Sequence, residues 1–214
     1  MATITSDPSN TPSDWTDTDA WVGGAVPDPD DDVVITGAHV ITLTAETICA
    51  SLTTTAFSGT LVQSTQILTV NGDIAWAAGT FTGGNAAIQC VAFTLTGGTW
   101  TSTTDTFLVE NSMSFSATIF DIQSGTFTHN SGAVTLNAVM GYYGNAYPVT
   151  NFAVAVDFYD LTYDGGNFVT WAYYYYTLTG VGAVTVENDL TLTSYLGMFK
   201  HKLNGGTLNL EGNL

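Results

Sequence analysis

The densest set of reactive side chains is the segment DFYDLTYDGG, residues 157 to 166. Glycoside hydrolysis needs two carboxyl groups about 5 to 9 Å apart, one acting as acid and the other as nucleophile or base. Asp157, Asp160 and Asp164 are the candidates, and Tyr159 and Tyr163 beside them suit stacking on a sugar ring. The plainer reading is a strand running into a turn, because DGG is a strong turn signal. His39, His129 and His201 stand in no sequence context that pairs a nucleophile with a base. The expectation is therefore no catalysis and no catalytic residue.

Other chemistry is confined to short clusters. DPDDD (28–32) holds four carboxylates, and Asp28, Asp30 and Asp32 have the first spacings of an oxygen cage for calcium. Val33 stands where such a loop needs glycine, and His39 where it needs the bidentate glutamate. A solvated Pro/Asp turn leading into a strand explains the cluster as well. Calcium is the one ion it would take, and no other cofactor is expected. Cys49 and Cys90 are too few for a disulfide framework. Lys200 and Lys202 flank His201 and are the only basic residues besides the histidines. They read as an exposed loop or as a salt contact with the acidic segment of a neighbouring subunit. TWAYYYYTL (170–178) sets five aromatics almost in a row. If it is a strand, Tyr174 and Tyr176 share one face and Trp171, Tyr173 and Tyr175 the other. One face would line a core. The other, with Tyr142 and Tyr143 of GYYGNAYP, suits a subunit interface, where tyrosine is enriched, or is covered by a loop.

The elements that would position these groups repeat. LTVNGDI (68–74), FLVENSM (107–113), VTVENDL (184–190) and LNLEGNL (208–214) share one pattern. The fifth place is Gly72, Asn111, Asn188 or Gly212, residue types that tolerate a left-handed corner. Gly-Thr-apolar recurs at Gly59, Gly79, Gly98, Gly125 and Gly206, the first three spaced by 20 and 19 residues. The strand motifs at 68 and 107 are 39 residues apart and the next follows 77 later, about two and four such units. A period near 20 with β-branched strands and Gly/Asn corners predicts a single-stranded β-solenoid, that is, a parallel β-helix. A β-sandwich is the alternative. At two rungs' separation Cys49 and Cys90 would lie about 10 Å apart, beyond disulfide reach. They are expected as buried free thiols.

Composition narrows the function classes. The 214 residues carry 19 acidic and 2 basic side chains, a formal charge of −17, with no arginine. Nucleic acid and anionic membranes are disfavoured partners, since both require several Lys or Arg contacts. The hydrophobic share of 45 % supports a packed core. No run of about 18 apolar residues predicts a membrane span, and the start MATITSDPSNTPSDW has neither charged n-region nor apolar h-region. Residues 1–32 hold eight of the acids and read as an acidic N-terminal arm and cap, with the solenoid over 33–214 and a Tyr-rich part from about 141.

Trp15, Trp21-Val-Gly-Gly, Pro27 and DDVVITGAHVITL (31–43) carry a resemblance. They look like the opening turn of extracellular β-helix proteins, among them the eight-glycine β-helix domain and repeat-built adhesin-like proteins of bacteria and their phages. The likeness covers roughly the first 45 residues. It implies a fold whose first coil is capped by tryptophans, and no activity.

A Thr/Gly-rich, Lys/Arg-poor surface without an export signal fits a virion component, made in the host cytoplasm and working outside the cell. The expected function is a non-enzymatic structural protein: a phage head decoration protein or a small fibre or tail appendage, homo-oligomeric and docked on a larger particle. The alternative is a secreted or cell-surface glycan-binding adhesin or S-layer-like module. A polysaccharide-degrading β-helix enzyme is third. Only Glu211 could blunt the last repeat unit, so residues 184 to 214 are expected to be covered by another chain or by further polypeptide.

Overall fold

A computed structural model describes residues 1–113, 117–140, 148–164, 174–193, 199–204 and 207–211. The chain is a parallel β-solenoid. Its strands stack into three sheets of nine, six and eight strands, and every pairing between named strands is parallel. A sandwich is thereby ruled out, since its hairpins would pair antiparallel. The sole helical element among the described residues is a 3-10 turn, Thr18–Ala20. No helix there is long and apolar enough to cross a membrane.

One rung shows the plan. Ser51–Phe57 lies in the nine-stranded sheet, Thr60–Val62 in the six-stranded sheet, and Leu68–Val70 in the eight-stranded sheet. The short middle strand buries its central residue only. Alternation sends Leu52, Leu61, Leu68 and Val70 inward, each essentially unexposed. A single rung cannot enclose these side chains, whereas stacked rungs do. The core turns aromatic along the axis. Phe81 and Trp100, on adjacent rungs, stack with centroids 3.9 Å apart and planes 11° apart. Phe93, Phe107, Phe120, Phe127 and Phe158 continue the column edge-to-face and tilted, geometries that aromatic quadrupoles prefer.

The rung length is not constant. Leu61 pairs with Phe81 and Phe81 with Trp100, offsets of 20 and 19 residues. Further on, Phe107 pairs with Val134, Val134 with Leu161 and Leu161 with Leu190, offsets of 27, 27 and 29. The strands grow to eight to eleven residues, as in Thr106–Met113 and Ala183–Thr193. The middle sheet ends at Thr126–Thr128. A three-sided solenoid thus becomes two-sided. This corrects the count of four short units between residues 107 and 184: three longer rungs separate Phe107 from Leu190.

The corners differ from expectation too. Gly72 does stand in a bend between strands, but not at positive φ. Asn111 lies inside a strand and Asn188 at an irregularity within one, and they donate side-chain N–H groups to the preceding rung, to Val91 O and Asp160 Oδ1. Gly212 lies outside the described residues. Three glycines of the Gly-Thr-apolar signature are left-handed, Gly79, Gly98 and Gly125, at φ of 77°, 72° and 85°, whereas Gly59 of the same signature is not. They stack in one column, with Thr99 N donating to Gly79 O and Thr126 N to Gly98 O.

Residues 1–32 contribute strands to the first rung. Thr3–Thr5 pairs with Asp32–Val34, and Ser13–Asp14 pairs with Ile41–Thr42. Trp15 and Trp21 pack edge-to-face with centroids 4.8 Å apart, and Trp21 Nε1 donates to Trp15 O. Val22 N donates to Thr5 O and Asp7 N to Ala20 O. The free edge of the first strand is blunted in this way. At the other end Thr207–Leu210 is exposed throughout, with Leu208 and Leu210 each 38 % accessible.

Candidate functional site

The acidic strand Val156–Asp164 lies in the eight-stranded sheet. Simple alternation would put Asp157 and Asp160 on opposite faces. A bulge between Phe158 and Asp160 resets the register. Asp157, Tyr159, Asp160 and Asp164 are therefore exposed or half-buried on the outside, while Phe158, Leu161 and Tyr163 point inward. Tyr163 does not flank the acids as a sugar platform. It is 8 % exposed, its hydroxyl lies 3.3 Å from Thr150 Oγ1, and burial pushes its pKa up to about 12 against that hydrogen bond.

The outer carboxylates hold neighbouring rungs together. Asp160 Oδ1 accepts from Asn188 Nδ2 at 2.7 Å and from Asp189 N at 3.0 Å. Asp164 Oδ1 accepts from Thr193 Oγ1 at 2.8 Å. The pattern recurs elsewhere. Asn151 Nδ2 donates to Asp121 Oδ1, and Asn137 Nδ2 donates to Glu110 Oε2. At these positions a carboxylate accepts from an amide or a hydroxyl of the next rung, and where Asp160 stands opposite Asp189 the Asn188 amide and the Asp189 N–H both donate to it.

One grouping was not legible in the sequence. His129 follows the last strand of the middle sheet, where the solenoid loses its third side. Its ring stacks on Tyr159 at 5.8 Å and 27°, and its Nε2 lies 3.4 Å from Glu187 Oε1. Ser131 N donates to Nδ1 at 2.8 Å, which leaves the proton of a neutral ring on Nε2, facing the glutamate. Asn130 and Ser131 hold left-handed φ of 53° and 60°, a conformation costing about 1–2 kcal/mol per residue. His129, Tyr159 and Glu187 come from three successive rungs, 30 and 28 residues apart in sequence, so no local motif could join them. The cluster can stack on a flat polar ligand and hydrogen-bond to it. A second cleft, of about 420 Å³, opens at the N-terminal cap beside Asp7, Ser9, Asn10, Thr18 and Asp19. Ser9 donates through both hydroxyl and N–H to Asp7 Oδ1, which lowers the Asp7 pKa.

In the Pro/Asp turn weighed as a calcium site, Asp28, Asp31 and Asp32 accept hydrogen bonds from the chain itself. Asp28 Oδ1 accepts from Asp30 N, and Asp31 Oδ1 accepts from Ala2 N at 2.7 Å, which holds the Asp31 carboxyl below its usual range. Asp32 Oδ1 accepts from Ser51 Oγ. Among the described residues no three carboxylate, histidine or cysteine groups converge. Cys49 and Cys90 are free and buried. Cys49 pairs with Val70 and Ile88 with Leu68, so the two thiols stand two rungs apart. Burial pushes Cys49 up to about 12 and Cys90 well above its ordinary value.

Tyr142 and Tyr143 lie outside the described residues. Tyr174 and Tyr176 fall in the strand Tyr174–Thr179, and Lys200 and Lys202 in Phe199–Asn204. The two strands pair with Tyr175 opposite Lys200, Tyr176 opposite His201 and Thr177 opposite Lys202. The lysines therefore lie on a strand rather than in a loop. No family model, no curated protein and no solved structure matches the chain, so its functional reading rests on its own residues.

Proposed function

We propose that the chain is a non-enzymatic structural protein, a phage virion surface component of the head-decoration or small fibre and tail-appendage kind. The observation that carries this reading is the use made of the outer polar side chains. Asp121, Asp160, Asp164, Glu110 and Asn151 are tied to the next rung, so the surface chemistry serves the rigidity of the rod. The low Lys/Arg content and the charge of −17 suit a particle surface that must stay soluble. Mass spectrometry of purified particles, with detection of this chain at stoichiometric copy number, is the test. Its presence only in a bacterial secreted fraction would overturn the reading.

The second reading is a glycan-binding adhesin, favoured by the Tyr159–His129 stack beside Glu187. Glycan-array binding that Tyr159→Ala abolishes would establish it. The third, a polysaccharide-degrading enzyme, requires release of reducing ends that Asp157→Asn, Asp160→Asn or Asp164→Asn removes.

A further inference from the structure

The six-stranded sheet presents a regular outer array. Val40–Thr42, Thr60–Val62, Thr80–Thr82, Thr99–Thr101 and Thr126–Thr128 each turn their first and third residues outward and bury the middle one. Eight of these ten outward residues are threonine, and the other two, Val40 and Val62, have nearly the same shape. All four pairings keep register without a bulge, whereas both neighbouring sheets shift. The threonines therefore fall into two straight columns. Their spacing is about 4.8 Å along the solenoid and about 6.6 Å across it. No charged residue occurs in the five strands. None of the eight threonine hydroxyls bonds within the chain, although outward threonines of the other sheets, such as Thr179 and Thr193, do.

We infer that this face binds ice. Threonine is stiff at χ1, and the array rests on buried Phe81 and Trp100, stacked at 3.9 Å. The hydroxyls and methyls are thus fixed before any ligand arrives, and little ordering entropy remains to be lost. Both spacings lie near the oxygen repeats on the prism planes of hexagonal ice, so one hydroxyl per rung can join each row of an ordered water lattice. Other occupants fit less well. Five three-residue strands cover about 240 Å², against about 800 Å² per partner in a stable protein interface. Threonine is also poor in binding hot spots. Phosphate would need Lys or Arg, and a sugar would need an outward aromatic ring, but the face offers neither.

The inference rests on the array alone and is independent of the virion reading. The test is thermal hysteresis and ice-recrystallisation inhibition by the whole chain. Wild type is compared with the double variant Thr82→Tyr/Thr101→Tyr, with Thr82→Lys, and with Thr135→Tyr on the outer face of the eight-stranded sheet. Circular dichroism and sedimentation accompany each. Wild type and Thr135→Tyr should shape ice and block recrystallisation, while the array variants lose on the order of tenfold in potency at unchanged fold. An inactive wild type, or folded array variants as active as wild type, would overturn the inference. So would array variants that change only the oligomeric state, which would make the face an interface between copies.

Discussion

Gly98→Ala tests the glycine column directly. Gly98 sits at φ +72°, and a Cβ there would lie 2.3 Å from Gly79 O and 2.9 Å from Ala78 C, backbone atoms of the rung beneath. The left-handed conformation alone costs an alanine about 1–2 kcal/mol. The contact adds an overpacking cost of about 1–3 kcal/mol, because a rung-to-rung hydrogen bond, Thr99 N to Gly79 O at 2.9 Å, must lengthen to make room. The expected loss is about 2–5 kcal/mol. Gly23 is the control, with φ +86° and nothing within 4 Å of its would-be Cβ, so Gly23→Ala should lose only the conformational part, about 1–2 kcal/mol. Urea unfolding followed by tryptophan fluorescence measures both, with equal m-values required. At this chain length each kcal/mol shifts Tm by about 2–4 °C. Equal losses for the two variants would refute the argument that close rung contact, and not φ alone, selects glycine at residue 98.

His39 takes the place of glycine in that column, is 2 % exposed, and has no hydrogen-bond partner on either ring nitrogen. Burial holds its pKa below 6.5 while Asp7 pulls the other way, so the unfolded chain binds its proton first, and stability present above pH 6.5 should fall as pH drops through that value. His39→Leu should flatten this profile; equal slopes in wild type and variant would refute the assignment. Cys49 and Cys90 should resist a thiol reagent in the folded chain and both react on unfolding without reductant, whereas a linked pair in a non-reduced peptide map would contradict the two-rung spacing. Trp100 Nε1 is buried without a partner, while Trp76 Nε1 donates to Gly79 O at 3.4 Å. Trp100→Phe should therefore cost less than Trp76→Phe by about 1 kcal/mol in the same unfolding assay; the reverse order would show that ring volume dominates.

The first half of the fold was readable because its repeat is local. Between residues 33 and 113 each rung is one short sequence unit, so Gly59, Gly79 and Gly98 recur at the structural period. Beyond that point the strands lengthen, and alternation inside one long strand imitates the short motif. VTVENDL matches FLVENSM in letters, yet Val184 pairs with Val156 and not with a partner of Phe107. A left-handed corner is expected at Gly72 because glycine tolerates positive φ, but tolerance does not show which glycine the coil bends at, and the left-handed positions are Gly79, Gly98 and Gly125 of the Gly-Thr corner. The acidic strand was found, while the outward placement of both Asp157 and Asp160 was not, because it depends on a bulge. The grouping of His129, Tyr159 and Glu187 depends on three rungs at once and has no trace in any window of sequence.

The change in rung length has a bearing on how such a chain can grow by descent. In the early part, Thr60 aligns with Thr80, so duplicating a 20-residue segment there adds one whole rung, leaves every inward side chain inward, and lengthens the threonine columns by one row. Past residue 126 the same 20-residue insertion would fall 7 to 9 residues short of a turn of the coil, and the strands downstream would meet the wrong partners. Tandem copying of a 20-residue unit can thus extend the rod at its three-sided end, whereas the two-sided end would need a unit of 27 to 29 residues.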